Sequence, residues 1–241
     1  MFYLSTLTSE KKNIETSRGE RSFVNFPRPA AFIYNKMMNA KSTIQQIEEI
    51  AEFLNSITDC DNLLDVGTGP GKLLQTIHKL NPQLNLFGFD ISESMIRLAK
   101  KNLNKIQVEL KVGRIQETDY PNEYFDIVTS TGSFYLWNEP EKGLNEIYRI
   151  LKKTKTAYIF ETYSDYDEQD FKARLKQNLK EESFIRRKMM PRFLLKQLHM
   201  TYTLAEIRGI IANSKFKDSY KIQQVMIANL PVWVRIELTK S

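Results

Sequence analysis

At 241 residues, with 41% hydrophobic and 27% charged side chains, the chain can bury a sizeable core and reads as one globular domain with additions. No apolar run approaches the roughly 20 residues of a membrane span, and residues 1–12 lack the apolar stretch of a signal peptide, so no membrane span is expected and the expected location is cytoplasmic. The single cysteine, Cys60, excludes an internal disulfide and a cysteine-rich zinc or iron–sulfur site, and no metal is expected. A net charge of +6 allows an acidic partner, but solvated lysine-rich faces are its commoner cause.

Residues 1–27 are polar and weakly patterned, an arm or lid with Phe23 and Phe26 as anchors, and Pro27 and Pro29 mark a break. Helical spacing then runs through Ile33, Tyr34, Met37 and Met38, and again through Ile44, Ile47, Ile50, Ala51 and Leu54. The run 63–66 (Leu-Leu-Asp-Val) followed by Gly67, Gly69 and Gly71, and then by Leu73, Leu74 and Ile77, predicts a buried strand, a tight turn and a helix start. Lacking a Cβ, glycine there lets the backbone turn sharply and come close to a ligand. The spacing is G-x-G-x-G after Asp65 rather than the dinucleotide G-x-G-x-x-G, and Lys72 followed by Leu73 fails the phosphate-loop pattern.

A second strand, 84–90, alternates and ends in Asp90, about 20 residues past the glycine turn, where a carboxylate can accept hydrogen bonds from ribose hydroxyls. Ser92 is the expected N-cap of a helix through Met95, Ile96, Leu98 and Ala99. The glycine run and the phrase Asp90-Ile91-Ser92-x-x-Met95 resemble motifs I and II of the class I S-adenosylmethionine-dependent methyltransferases of small-molecule type. Residues 30–39 resemble the Tyr-Asp-x-Met segment that precedes the core in that family, with Asn35 in place of the acid.

The resemblance implies S-adenosylmethionine as cofactor and S-adenosylhomocysteine as product. It implies that Gly67, Thr68, Gly69 and Gly71 lie under the methionyl part, and that Asp65 fixes the loop and the ligand's amino group. Asp90 is expected on the ribose, with Ile91 and Met95 beside the adenine. Tyr34 is either core or a cofactor contact.

The third strand, 108–112, ends at Gly113. Next comes Arg114, where the family commonly has an aspartate that accepts the adenine amino group; arginine only donates. Either backbone groups at Arg114 and Ile115 hold the adenine, or Gln116 or Glu117 takes over. A fourth strand, 125–129, leads into 130–140, expected beside the ligands because chemistry collects at the carboxyl ends of parallel strands. Ser130 is assigned there to the cofactor, and Tyr135 and Trp137 to the substrate pocket. Residues 143–152 resemble the family's Leu-x-Glu-Ile-x-Arg-Val-Leu-Lys helix, with Glu146 and Arg149 bracing the fold, and 157–161 form a fifth strand.

Residues 164–202 form a helical addition whose Met190 and Phe193 either line the substrate pocket or cement a cap to the sheet. A capping box, Thr203 to Glu206, opens a helix, and 220–228 with 232–238 read as a hairpin joined through Asn229, Leu230 and Pro231. The expected fold is α/β: a doubly wound, seven-stranded, mostly parallel sheet with an antiparallel C-terminal strand beside the fifth, a helical N-terminal arm (1–58) and a core (59–241) carrying the cap. Glu161, at the carboxyl end of strand five, is the first candidate for a general base and His199 the second. The expected activity is methyl transfer to a small-molecule partner. Transfer to RNA or protein, or a non-catalytic role in binding S-adenosylmethionine, are the alternatives; nucleic acid is the less expected partner, and the oligomeric state is left open.

Overall fold

The structure is a computed structural model that describes residues 39–57 and 60–241. The N-terminal arm, the helix expected around Ile33 and its Tyr34 lie outside the described residues. Strands β1 (Asn62–Val66), β2 (Asn85–Asp90), β3 (Val108–Val112), β4 (Ile127–Thr131), β5 (Thr156–Thr162), β6 (Tyr220–Ile227) and β7 (Leu230–Thr239) form one sheet. Its order is β3-β2-β1-β4-β5-β7-β6. The first five strands are parallel and β7 runs antiparallel between β5 and β6, as the motif order implies.

Seven helices cover the sheet among the described residues: α1 (Lys41–Ser56), α2 (Lys72–Leu80), α3 (Glu93–Asn102), α4 (Pro140–Ile150), α5 (Glu168–Asn178), α6 (Phe184–Leu198) and α7 (Leu204–Ala212). Their apolar stripes sort them onto two faces. Leu144, Ile147 and Ile150 of α4 share one core with Ile207 and Ile211 of α7. Ile47, Ile50 and Leu54 of α1 share the other with Leu74 and Ile77 of α2, Phe171 of α5 and Leu198 of α6. None of these helices is long and apolar enough to cross a membrane.

Helix starts follow local chemistry. The Ser92 side chain accepts from Met95 N, Asp167 accepts from Gln169 N and Asp170 N, and Thr203 with Glu206 completes the capping box. Glu146 accepts from Thr118 N and Oγ1 and pairs with Arg149, which ties the segment after β3 to α4. In the cap, buried Glu182 accepts from Lys41 N at 2.8 Å and from Arg186 at 2.9 Å, so the α5–α6 turn holds the start of α1.

Several boundaries differ from the sequence reading; the helix expected at 143–152, for one, spans Pro140–Ile150. The ladder of β4 on β1 begins at Leu63 opposite Ile127, because Asp126 turns its carboxylate to the N–H groups of Asp61 and Asn62, and Phe125 makes only an isolated bridge with Leu151. The hairpin turns on Ala228 and Asn229, both at positive φ (47° and 60°), the geometry of a two-residue turn that suits strand twist. Leu230 and Pro231 therefore belong to β7, and the missing N–H of the proline is tolerated opposite the irregularity between Val225 and Ile227.

Candidate functional site

The chain winds outward from β1 through β2 to β3 and then crosses back to β4, so loops diverge at the carboxyl ends of β1 and β4. A cleft with about 730 Å³ of empty space opens there. Its walls are Val66, Gly67 and Gly69 after β1, Phe89, Asp90, Ile91 and Met95 after β2, Gly113, Arg114 and Ile115 after β3, and Thr131, Gly132, Ser133, Leu136 and Trp137 after β4.

Asp90 organises the cleft. It is buried, one oxygen accepting from Gly69 N and the other from Ser92 N, both at 2.8 Å. Burial raises its pKa, and the two N–H donors oppose that rise. The same carboxylate thus anchors the glycine turn and lines the cleft. Ser133 locks the opposite wall: its hydroxyl meets Ser130 Oγ at 2.7 Å, donates to Val66 O and accepts the indole N–H of Trp137. A Cβ on Gly67 would stand 2.5 Å from Ser133 Cβ, so that glycine is required for the two loops to meet.

Of the expected cofactor residues, the fold brings Gly67, Gly69, Asp90, Ile91, Met95, Arg114 and Ile115 together around the cleft. Asp65, in β1, and Thr68 and Gly71, in the turn after it, are not among the residues that line the cleft, and Ser130 is wholly buried beside Ser133. Gln116 does not line the cleft; its side-chain amide donates to Asn138 O. Phe89, Ser133 and Leu136 also line the cleft, and the sequence reading does not single them out.

A second chamber, with about 900 Å³ of empty space, adjoins the first and shares Thr131 and Gly132 with it. Helix α1 contributes Thr43, Gln46, Ile47 and Ile50, the cap contributes Phe171, Met190, Leu194, Gln197 and Leu198, and β5 and β7 contribute Thr162, Leu230, Val232 and Trp233. Met190 lines this chamber. Trp137 instead faces the first cleft, because its indole is drawn to Ser133, and Tyr135 is buried and lines neither cavity. Helix α6 contains Phe193, but its side chain lies outside the described residues.

The two base candidates stand elsewhere. Glu161 is fully buried; it accepts from Thr162 N at 2.8 Å and from Tyr135 N at 3.2 Å, holding the 3-10 turn Phe134–Leu136 against β5. His199 is exposed at the end of α6. Neither is among the described residues that line the two cavities. Among the described residues no cluster of histidine, cysteine and carboxylate side chains is placed to hold a metal ion.

Burial pushes Asp65 up to about 7, with the charge of Asp90 adding to it, and pushes Glu161 up to about 7 against its N–H donors. Between the unfolded values near 4 and the folded values near 7, the native state holds protons that the unfolded chain releases, so stability falls as pH rises through that window. The carboxylates held low, such as Asp126 and Glu146, act only below it. Melting temperature is therefore expected to drop by several degrees from pH 5 to pH 7.5; a flat or rising profile would show that these two carboxyls are ionised at no cost in the fold.

Comparison with known proteins agrees with this geometry. A family model described as a methyltransferase domain matches residues 57–226. The chain is 38% identical over 103 residues to YdaC, an uncharacterised methyltransferase of Bacillus subtilis, covering 43% of this chain and 57% of that one. It is 25% identical over 191 residues to a demethylmenaquinone methyltransferase of Chlorobaculum parvum, covering 78% and 64%. The match thus spans less than two thirds of the length of either curated relative. In fold, it resembles a SAM-dependent methyltransferase from Aquifex aeolicus (TM-score 0.63, 16% identity, covering 88% and 98%). It also resembles the plantazolicin methyltransferase BpumL in complex with SAH (TM-score 0.69, 17% identity, covering 98% and 100%).

Proposed function

The chain belongs to the methyltransferase-domain family, and on that premise we propose that it moves the methyl group of S-adenosylmethionine to a small-molecule acceptor. The observation that carries this reading is the pair of cavities joined at Thr131 and Gly132: one suits the cofactor, the other an acceptor brought alongside it. The capture of SAH by a neighbour of the same fold supports the assignment of the first.

The residues of the cleft fit such a cofactor. Asp90 has acceptor capacity left on both oxygens for ribose hydroxyls, Phe89, Ile91 and Met95 offer apolar surface to a purine, and Gly69 leaves open space where a side chain would stand. The adenine is read as held by backbone groups at Arg114 and Ile115, since Gln116 is turned to Asn138 and Glu117 is not among the residues that line the cleft. Ser130 serves the site indirectly, by fixing Ser133.

When bound, S-adenosylmethionine would supply an already activated methyl group, which a lone pair of the acceptor could take as the carbon–sulfur electron pair returned to sulfur. What the protein adds is alignment and exclusion of water. The described side chains that line the second chamber include no carboxylate, histidine, lysine or arginine. Calorimetry tests the premise: S-adenosylmethionine should bind and S-adenosylhomocysteine should compete, and a folded protein that binds neither would overturn it.

Met190 is buried, lines the second chamber and does not line the first. Met190→Ala is therefore expected to lower single-turnover transfer about tenfold per folded molecule, the scale of a lost apolar contact to substrate, with cofactor affinity unchanged. Loss of melting temperature alone would mean that the cap only cements the sheet.

A further inference from the structure

Helix α6 carries five basic side chains, Arg186, Arg187, Lys188, Arg192 and Lys196, and no acidic one. Two rows run along it at the four-residue spacing that keeps side chains on one face. Met190, Leu194 and Leu198 form the inner row and line the second chamber. Phe184, Lys188, Arg192 and Lys196 form the outer row and are all exposed, Phe184 at 72%. Met189, three residues before Arg192, is 59% exposed. Large apolar groups thus stand among the cations.

The fold itself has no use for this charge. Arg186, Arg187 and Lys188 lie near the start of the helix, where its dipole disfavours positive charge. Arg186 pairs with Glu182 at 2.9 Å, whereas Arg187, Lys188, Arg192 and Lys196 make no ion pair among the described residues. Glu168, which feels the charge of His199 beyond the other end of the helix, is paired with Lys172. Cations without counter-charge, next to exposed phenylalanine and methionine, are the makings of a surface that meets anions and apolar matter together.

We infer that the outer face of α6 docks on an anionic lipid bilayer surface, with the cations against the headgroups and Phe184 and Met189 entering the acyl boundary. A second copy of a chain with net charge +6 would bring like charge to this face, and residues 1–38, with six basic and three acidic side chains, would do the same. A nucleic acid would meet the cations but leave Met189 in water. The inference does not depend on what the second chamber binds, so its failure would leave the proposed methyl transfer standing.

Flotation of the full chain with vesicles tests it. Vesicles of phosphatidylcholine with about a third phosphatidylglycerol should bind at least tenfold more tightly than phosphatidylcholine alone, and about 1 M salt, where the screening length falls to roughly 3 Å, should release the protein. Lys188→Glu with Arg192→Glu, and separately Phe184→Ser with Met189→Ser, should each weaken binding at least tenfold. Melting temperature should stay where it is, since all four side chains are exposed. Cys60 is the single cysteine, so a Cys60→Ser background allows a polarity-sensitive dye to be placed at will. On Met189→Cys its emission should shift to the blue with the mixed vesicles, and on Arg208→Cys, exposed on α7 across the sheet, it should not. Should a charge or serine variant not fold, the two dye positions decide. Equal binding to both kinds of vesicle, binding that survives the reversed charges in a folded variant, or a dye silent at Met189 would each overturn the inference. So would polyuridylate that binds more tightly than the mixed vesicles and is indifferent to the loss of Phe184 and Met189.

Discussion

Asp90→Ala is expected to weaken S-adenosylmethionine binding at least tenfold while the protein still folds. The carboxylate has two jobs in the same place. It accepts from Gly69 N and Ser92 N, which pins the glycine turn to the end of β2, and it lines the cleft where ribose hydroxyls would lie. Hydrogen bonds to a charged group contribute about 1.5–3 kcal/mol each, so losing even one from the complex gives the tenfold figure, and the loosened turn adds to it. Part of the effect should appear without ligand. Burial raises the pKa of Asp90, so the fold bears a desolvation cost that alanine removes, against which stand two orphaned N–H groups. Melting temperature should accordingly change little beside the change in affinity. Calorimetry that finds unchanged affinity in a folded variant would refute the assignment of Asp90 to the cofactor.

The elements that were legible in the sequence are those in which local spacing and local chemistry coincide. Strand, glycine turn and helix lie within residues 62–80, and Asp90, Ser92 and Met95 within six positions, so periodicity and capping suffice to place them. Helix α4 was readable from its apolar spacing, although it starts at Pro140, three residues before the expected start. The second chamber was not legible, because α1 is separated from the cap and β7 by more than a hundred residues and meets them only through the sheet order. Periodicity says that Ile47 or Trp233 is buried; it does not say against what. Trp137 shows the same gap at short range: its loop was placed correctly beside the ligands, but which cavity it enters depends on a hydrogen bond to Ser133 that no pattern encodes. Glu161 shows how a site position can mislead. The end of a central strand is where a base would sit, yet Glu161 is fully buried and is not among the described residues that line either cavity.

Gly69→Val is expected to abolish measurable cofactor binding, with Gly71→Val as its counterpart that damages the fold instead. The two glycines both sit at positive φ, 51° and 77°, so any side chain at either pays a backbone cost of about 1–2 kcal/mol. In a domain of this size that lowers the melting temperature by only a few degrees per kcal/mol, about 2–4 °C. They differ in what a side chain would meet. A Cβ at Gly69 finds nothing nearer than Gly67 O at 4.0 Å, so added bulk goes into the space of the cleft. A Cβ at Gly71 would stand 2.7 Å from Leu103 Cδ1 and 3.4 Å from Ala99 Cβ, wedging α3 away from the turn. Gly69→Ala bears the backbone cost with little bulk and Gly69→Val adds the branch, so affinity should fall in steps along that pair while melting temperature falls less. Gly71→Val should lose far more thermal stability than Gly69→Val. If Gly69→Val binds S-adenosylmethionine as well as the unmodified chain does, the turn serves the fold alone and the cofactor must lie elsewhere.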